Sequence, residues 1–166
     1  MLFRFNFFIV KRLFDFTFAI FGLIILSPVL IILSLLIIIT SPGPVFFSQK
    51  RVGRQGKLFT LYKFRTMVQN ADTMPGGSIT VGNDERITSI GKLFRRWKLD
   101  ELPTLWNVLK GDMSFVGPRP DVPGYADKLV GDNRRILELR PGITGPATLK
   151  YSNEEKLFAD VDKSKK

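Results

Sequence analysis

The chain reads as an α+β protein: an N-terminal apolar membrane element, then a compact, mostly helical domain carrying a small β-hairpin. Three observations predict this. Residues 16–39 form an uncharged, almost wholly apolar run of 24 residues. Residues 45–64 hold two short strand-like segments on either side of Gly53 and Gly56. Downstream, apolar residues recur at helical spacing between capping and stop residues. A length of 166 residues fits one ordinary domain plus one appendage, here divided as 1–40 and 41–166.

Composition narrows the chemistry. Lys and Arg outnumber Asp and Glu by 25 to 15, a net charge of +10. Only three of those basic residues (Arg4, Lys11 and Arg12) precede residue 41, so the domain itself is basic. A surplus of this size fits an anionic partner: nucleic acid, a phosphorylated substrate or anionic lipid. The chain has no His and no Cys. That excludes imidazole acid/base chemistry, thiolate nucleophiles, the usual zinc ligands and a disulfide framework. It also agrees with a cytoplasm-facing protein. Carboxylates are left as the leading candidates for nucleophile, base or metal ligand.

The apolar run is long enough to enter a membrane. As a straight helix, residues 16–39 would extend about 36 Å, against a hydrocarbon core of roughly 30 Å. Phe3, Phe5, Phe7 and Phe8 precede it, mixed with Arg4, Lys11 and Arg12, a pattern suited to an interfacial helix whose cations reach headgroups. Two topologies fit: a single kinked span, or a re-entrant hairpin. For the hairpin, Ser27-Pro28 falls at the midpoint, and Pro28 deprives the Ile24 carbonyl of its helical donor. Ser27 can satisfy a freed backbone group. Basic residues also flank both ends of the run, and positive charge marks the cytoplasmic side. Asp15, at the mouth of the run, reads as a helix-start residue paired with Lys11 or Arg12.

Ser41-Pro42-Gly43-Pro44 ends the membrane helix. Val45–Gln49 and Leu58–Phe64 are predicted strands, joined through Gly53 and Gly56 as a hairpin. Lys63 and Arg65 fall on one face of the second strand, as a solvated basic edge or as a phosphate-binding pair. Val68–Asp84 has little periodicity and reads as a loop, a candidate lid. Thr88 or Ser89 caps a helix through Trp97, with Ile90, Leu93, Phe94 and Trp97 on one face. That face either packs in the core or lies on anionic headgroups.

Leu99-Asp100-Glu101-Leu102-Pro103 places two adjacent carboxylates inside this basic region. Asp100 is a predicted N-cap, and Pro103 is tolerated in a first helical turn. Leu102, Leu105, Trp106 and Leu109 continue the apolar face, and Gly111 stops the helix. Pro118 and Pro120 bracket Arg119 and hold it extended, which suits bidentate phosphate recognition as well as a plain turn. Tyr125–Leu139 reads as an amphipathic helix loosened at Gly131, residues 140–146 as a turn-rich loop, and the polar tail as frayed.

Six blocks in order then carry a resemblance: KRLFDF at 11–16, Ser27-Pro28, VFFSQKRVGRQGKLFTLYKFRTM at 45–67, DERITSIGKLFRRWKLDELP at 84–103, NVLKGDMSFVGPRP at 107–120 and RPGITGPA at 140–147. The chain resembles the bacterial sugar transferases of the small monotopic phosphoglycosyl transferase superfamily. The resemblance implies transfer of a sugar 1-phosphate from a UDP-sugar to undecaprenyl phosphate, giving undecaprenyl diphosphate-sugar and UMP. It implies Asp100 as nucleophile in a covalent phosphosugar intermediate, with Glu101, beside Asp100, binding Mg²⁺. Lys63, Arg65 and Arg119 would bind phosphates, and Pro118, Arg119 and Pro120 would lie near the nucleotide. It also implies a re-entrant helix-break-helix at Ser27-Pro28, in the bacterial inner membrane, with the catalytic domain on the cytoplasmic face. Its partners would be the UDP-sugar, undecaprenyl phosphate and membrane lipids, with no nucleic acid.

Two departures stand out. Thr104 occupies a position commonly held by Gln in that family, and family members usually extend further with another helical segment beyond the region matching 153–160. The reading from charge alone is different: a non-catalytic, basic, membrane-anchored module binding lipid or nucleic acid. It predicts salt-sensitive binding that survives Asp100→Asn and needs no metal.

Overall fold

A computed structural model describes residues 2–74, 84–146 and 149. Helix α1 runs from Leu2 to Thr40 with Pro28 inside it. The Ile24 carbonyl that Pro28 leaves without a donor is taken by Ser27 Oγ at 2.7 Å. The expected break is therefore absent as an interruption: α1 is one continuous helix across Ser27-Pro28. One seam docks it. Asp15, Ala19, Leu33 and Ile37 are buried, and Gly22, Leu26 and Leu30 between them are partly buried. Steps of three and four put all seven on one face. The other faces are bare and apolar, with Ile25 and Ile39 largely exposed.

Strands β1 (Phe46–Val52) and β2 (Leu58–Phe64) form the predicted antiparallel hairpin, in register from Phe46–Phe64 to Val52–Leu58. Its first strand runs three residues past the expected end at Gln49. The connection needs left-handed backbone at Gln55 and Gly56 (φ 61° and 77°). Phe59 and Leu61, on one face of β2, join Ala19 of α1 with Val108 and Met113 in one core cluster. Phe64, Phe94, Leu33 and Ile37 make a second.

Helix α2 (Ser89–Arg96) begins as predicted, with Thr88 Oγ1 accepting from the Gly91 N–H at 3.0 Å. Only half of its expected apolar face goes inward: Phe94 is fully buried, whereas Leu93 and Trp97 are 47% and 66% exposed. Helix α3 (Thr104–Lys110) stops at Gly111 (φ 92°). Its buried Asn107 ties it to the open edge of β2, donating to the Thr60 carbonyl at 2.7 Å and accepting from the Tyr62 N–H at 3.1 Å. Asp100 is not its N-cap. Residues Leu99–Glu101 form a separate 3-10 turn, because Pro103 has no N–H to extend the ladder backwards, and the helix starts only at Thr104.

The C-terminal carbonyls of α3 have cationic partners. Arg12 donates to Val108 O and Leu109 O at 2.7 and 2.8 Å, and Arg140 to Gly111 O at 2.9 Å. Guanidinium groups complement both the free carbonyls and the helix dipole there. The headgroup-reaching role expected of Arg12 thus gives way to a docking role. Its neighbours act likewise: Lys11 pairs with Asp15 at 3.4 Å, as expected, and hydrogen-bonds Ser114, while Asp15 accepts from the Phe115 N–H at 3.2 Å.

Two further departures follow downstream. Strands β3 (Ser114–Val116) and β4 (Gly142–Thr144) form a parallel pair where only loops were expected. Residues 125–139 are not an α-helix: a 3-10 turn at Ala126–Lys128 is followed by a 3-10 stretch at Gly131–Glu138 that opens on a left-handed Gly131. In the expected lid, the ends are joined by Val68 N–H to Arg86 O at 2.8 Å. Residues 75–83 and the tail expected to fray lie outside the described residues.

Candidate active site

The 3-10 turn at Leu99–Glu101 is set by a left-handed Lys98 (φ 55°) and by Thr104, whose Oγ1 donates to the Glu101 carbonyl at 2.6 Å. The turn faces the end of β2. Lys63 shares the β2 face of Phe59 and Leu61, so its chain runs over α3 and its Nζ reaches Glu101 Oε1 at 2.6 Å. Asp100, next to Glu101 in the turn, lies within reach of the Lys63 and Glu101 charges. It is nearly buried, and its Oδ1 has no hydrogen-bond partner among the described residues.

The two carboxyls therefore differ electrostatically. Burial raises the Asp100 pKa above the usual carboxylate range, reinforced by the Glu101 charge and opposed by Lys63 and Arg95. Burial acts on Glu101 in the same direction, but the charge and hydrogen bond of Lys63, with Lys98 and Arg119, bring its pKa below the ordinary value. One carboxyl is desolvated and only partly compensated by nearby cations, and its neighbour is held charged. Such a split is common where acids do chemistry, and an unpartnered buried oxygen is a stronger base than a satisfied one.

Lys63, Glu101, Thr104, Arg119, Pro120 and Arg51 line a cavity of about 50 Å³, together with Gly142 and Ile143 from β4. It is positively charged, with three cations against Glu101. Arg51 was not singled out from sequence. It sits one residue before the end of β1, where its guanidinium donates to Pro120 O at 3.1 Å and Gln49 Oε1 at 2.6 Å. Alternation along β1 was the available signal, but the strand was expected to end at Gln49. Burial, then the like charge of Arg119, lowers the Arg51 pKa.

The Pro118-Arg119-Pro120 segment is positioned by β3 and β4. Gly117 N–H donates to Thr144 O at 3.0 Å and Gly142 N–H to Pro118 O at 2.8 Å. The backbones approach so closely that a Cβ on Gly117 would lie 2.2 Å from Arg140 O, and one on Gly142 would lie 2.1 Å from Gly117 N. These glycines let the two motif segments cross.

Arg65 is not brought to this cavity. β2 ends at Phe64, so the alternation that paired Arg65 with Lys63 stops, and Arg65 turns toward the end of α1. It is buried and donates to Ser41 O and Pro42 O, both at 2.6 Å. Ser27 and Pro28 lie on α1, as described.

The residues present fit a lightly caged magnesium ion. Mg²⁺ in phosphoryl-transfer sites takes one or two carboxylates with substrate phosphates and water. Asp100 offers an unpartnered oxygen, and Glu101 stands beside it. No three acidic side chains gather among the described residues, so substrate oxygens would complete the shell.

Comparison with known proteins agrees with the geometry. A model of the bacterial sugar transferase family matches residues 6–164. A Bacillus subtilis protein, provisionally named an undecaprenyl-phosphate N-acetylgalactosaminyl 1-phosphate transferase, is 41% identical over 157 residues, covering 92% of this chain and 82% of its own length. The undecaprenyl-phosphate galactose phosphotransferase of Salmonella typhimurium is 42% identical over 149 residues, 81% of this chain and 31% of its own length. The UDP-glucose:undecaprenyl-phosphate glucose-1-phosphate transferase of Xanthomonas campestris pv. campestris is 40% identical over 146 residues, 86% of this chain and 30% of its own length.

Proposed function

The chain belongs to the bacterial sugar transferase family and is a phosphoglycosyl transferase, and from that premise we propose that it moves a sugar 1-phosphate from a UDP-sugar to undecaprenyl phosphate through Asp100. The observation that carries the proposal is the buried, unpartnered Asp100 Oδ1 beside the Lys63-bound Glu101. An Asp100 oxygen attacks the sugar-bearing phosphorus, the bond from that phosphorus to the bridging oxygen breaks, and UMP leaves. The aspartyl phosphosugar is then attacked by the lipid phosphate, which restores the carboxylate. Two displacements let donor and lipid react at the same carboxylate in turn. A carboxylate approaching a diphosphate meets like charge, and Lys63, Arg51 and Arg119 offset it where charge develops. Mg²⁺, held by Glu101 and Asp100, would neutralise diphosphate charge when bound.

Membrane placement follows from α1. It is long and apolar enough to cross a membrane. Yet its docked seam runs from Asp15 to Ile37, about 33 Å along the helix, and a basic domain holds both ends. A polar domain cannot accompany a helix through the bilayer. This supports a monotopic arrangement, and the basic residues flanking both ends of the apolar run favour the cytoplasmic face of the inner membrane.

The test is intact-mass measurement of the full chain in detergent with a UDP-sugar alone. The expected result is a phosphosugar adduct on Asp100 and stoichiometric UMP, both lost in Asp100→Asn. Because the Asp100 pKa is raised in the fold, stability falls as the pH rises above the unfolded carboxyl value and goes on falling through the folded one, so Asp100→Asn should melt no lower than the parent at neutral pH. Multiple-turnover UMP release by Asp100→Asn at the parental rate would remove the covalent route.

A further inference from the structure

A second cavity shares Arg119 with the first. It measures about 440 Å³, within the ~300–1,000 Å³ range of small-molecule sites. Its wall is largely apolar: Phe8, Val116, Pro118, Ile136, Leu139 and Pro146. Five cations also border it (Lys11, Arg12, Arg54, Arg119 and Arg140) against the acids Asp15 and Glu138. We propose that this cavity seats the lipid acceptor, with the first isoprene units against the apolar wall and the monophosphate directed to Arg119; the proposal rests on the transferase reading above.

Three features choose this occupant. The cavity is continuous with α1 at Phe8–Asp15, immediately before the uncharged run, so it opens where a lipid headgroup lies. Arg119 lines both this cavity and the smaller one holding Glu101, so one guanidinium separates the acceptor side from the donor side. The charge pattern asks for an anion. Arg12 and Arg140 are anchored on α3 carbonyls and Arg54 on the Glu138 carbonyl at 2.9 Å, so the cations are fixed close together. After burial, the like charges of Arg54 and Arg12 are what depress the Arg140 pKa. An anion anywhere in the cavity is attracted by this fixed positive charge. A nucleotide sugar, in contrast, has no use for a wall of six apolar side chains.

Photolabelling of the full chain in nanodiscs tests this. The probe is a polyprenyl phosphate bearing a diazirine in its proximal isoprene units, applied to the parent and to Asp100→Asn. Labels should map to Val116, Ile136 or Leu139 in both proteins and be competed by undecaprenyl phosphate at least ~10-fold better than by undecaprenol, a loss of about 1.4 kcal/mol for the missing phosphate. In steady state, Val116→Trp and Ile136→Trp should each raise the acceptor KM at least ~10-fold more than the donor KM. Labels confined to the exposed faces of α1, or equal labelling at these positions by a diazirine phosphatidylglycerol, would overturn the proposal. Labelling here in Asp100→Asn without any adduct in the parent would instead leave this seat standing and remove the covalent mechanism.

Discussion

Arg65 and Arg119 come from equally basic motifs, yet the fold uses them in opposite ways. Arg65 is buried, and its two terminal nitrogens hold the Ser41 and Pro42 carbonyls that close α1. Arg12 and Arg140 do the same for α3. Arg119 is exposed, held between prolines, and lines two cavities. The difference lies in what each strand or loop leaves unpaired nearby. Where a helix ends, carbonyls capture the guanidinium; where a proline-bracketed loop crosses a short sheet, the guanidinium stays exposed at a cavity wall. Basic charge alone does not separate anchors from phosphate ligands.

Arg119→Ala should break this contrast most visibly. Loss of a fixed donor to a developing phosphoryl charge costs about 10²–10³ in turnover, while the melting temperature should stay close to the parent's, because Arg119 is exposed. A single-turnover assay of UMP release beside a thermal melt checks both halves. A large drop in melting temperature would place Arg119 among the anchors instead.

Arg65→Ala should show the reverse pattern, with a somewhat smaller energy. Removing it leaves two carbonyls at the end of α1 without a charged donor, at about 2–3 kcal/mol for hydrogen bonds to a charged group. Denaturant unfolding in detergent measures this, and the surviving folded fraction should still form the Asp100 adduct. If Arg65→Ala kept full stability and lost adduct formation, Arg65 would be a phosphate ligand after all.

Much of this was legible in the sequence where the physics is local. Thr88 capping α2, Gly111 ending α3, the Gly53–Gly56 hairpin and Ser27 answering Pro28 all follow from residues within a few positions of one another. What failed was tertiary. A three-residue strand such as Gly142–Thr144 has too few residues to show a period, and its partner lies far off in sequence. Residues 125–139 have helical spacing of apolar side chains, but two left-handed glycines, Gly124 and Gly131, set the backbone. Asp100 and Glu101 are adjacent in sequence, and the structure brings Lys63 and Arg119 to the same cavity as Glu101. Arg51 was not legible, since its role depends on β1 running to Val52 and on a carbonyl of Pro120. The carbonyl partners of Arg12 and Arg65 belong to other elements, so local spacing does not show them.

Lys63 stands between the two groups, since it pairs with Glu101 at 2.6 Å and yet lines the smaller cavity. Its replacement should have the smallest effect of the three. Both members of the pair are partly exposed (26% and 30%), so solvent screens the interaction, and Lys63→Met should change stability by well under 1 kcal/mol. The pH profile is the sharper readout. The Lys63 charge favours the ionised forms of Asp100 and Glu101, so its removal makes both carboxyls harder to ionise. If ionised Asp100 is the attacking group, the acid limb of single-turnover UMP release should move to higher pH in Lys63→Met, and rates above that limb should fall less than in Arg119→Ala. An acid limb unmoved by the substitution would mean that the limb reports some group other than Asp100, and that Lys63 serves the fold alongside Arg65.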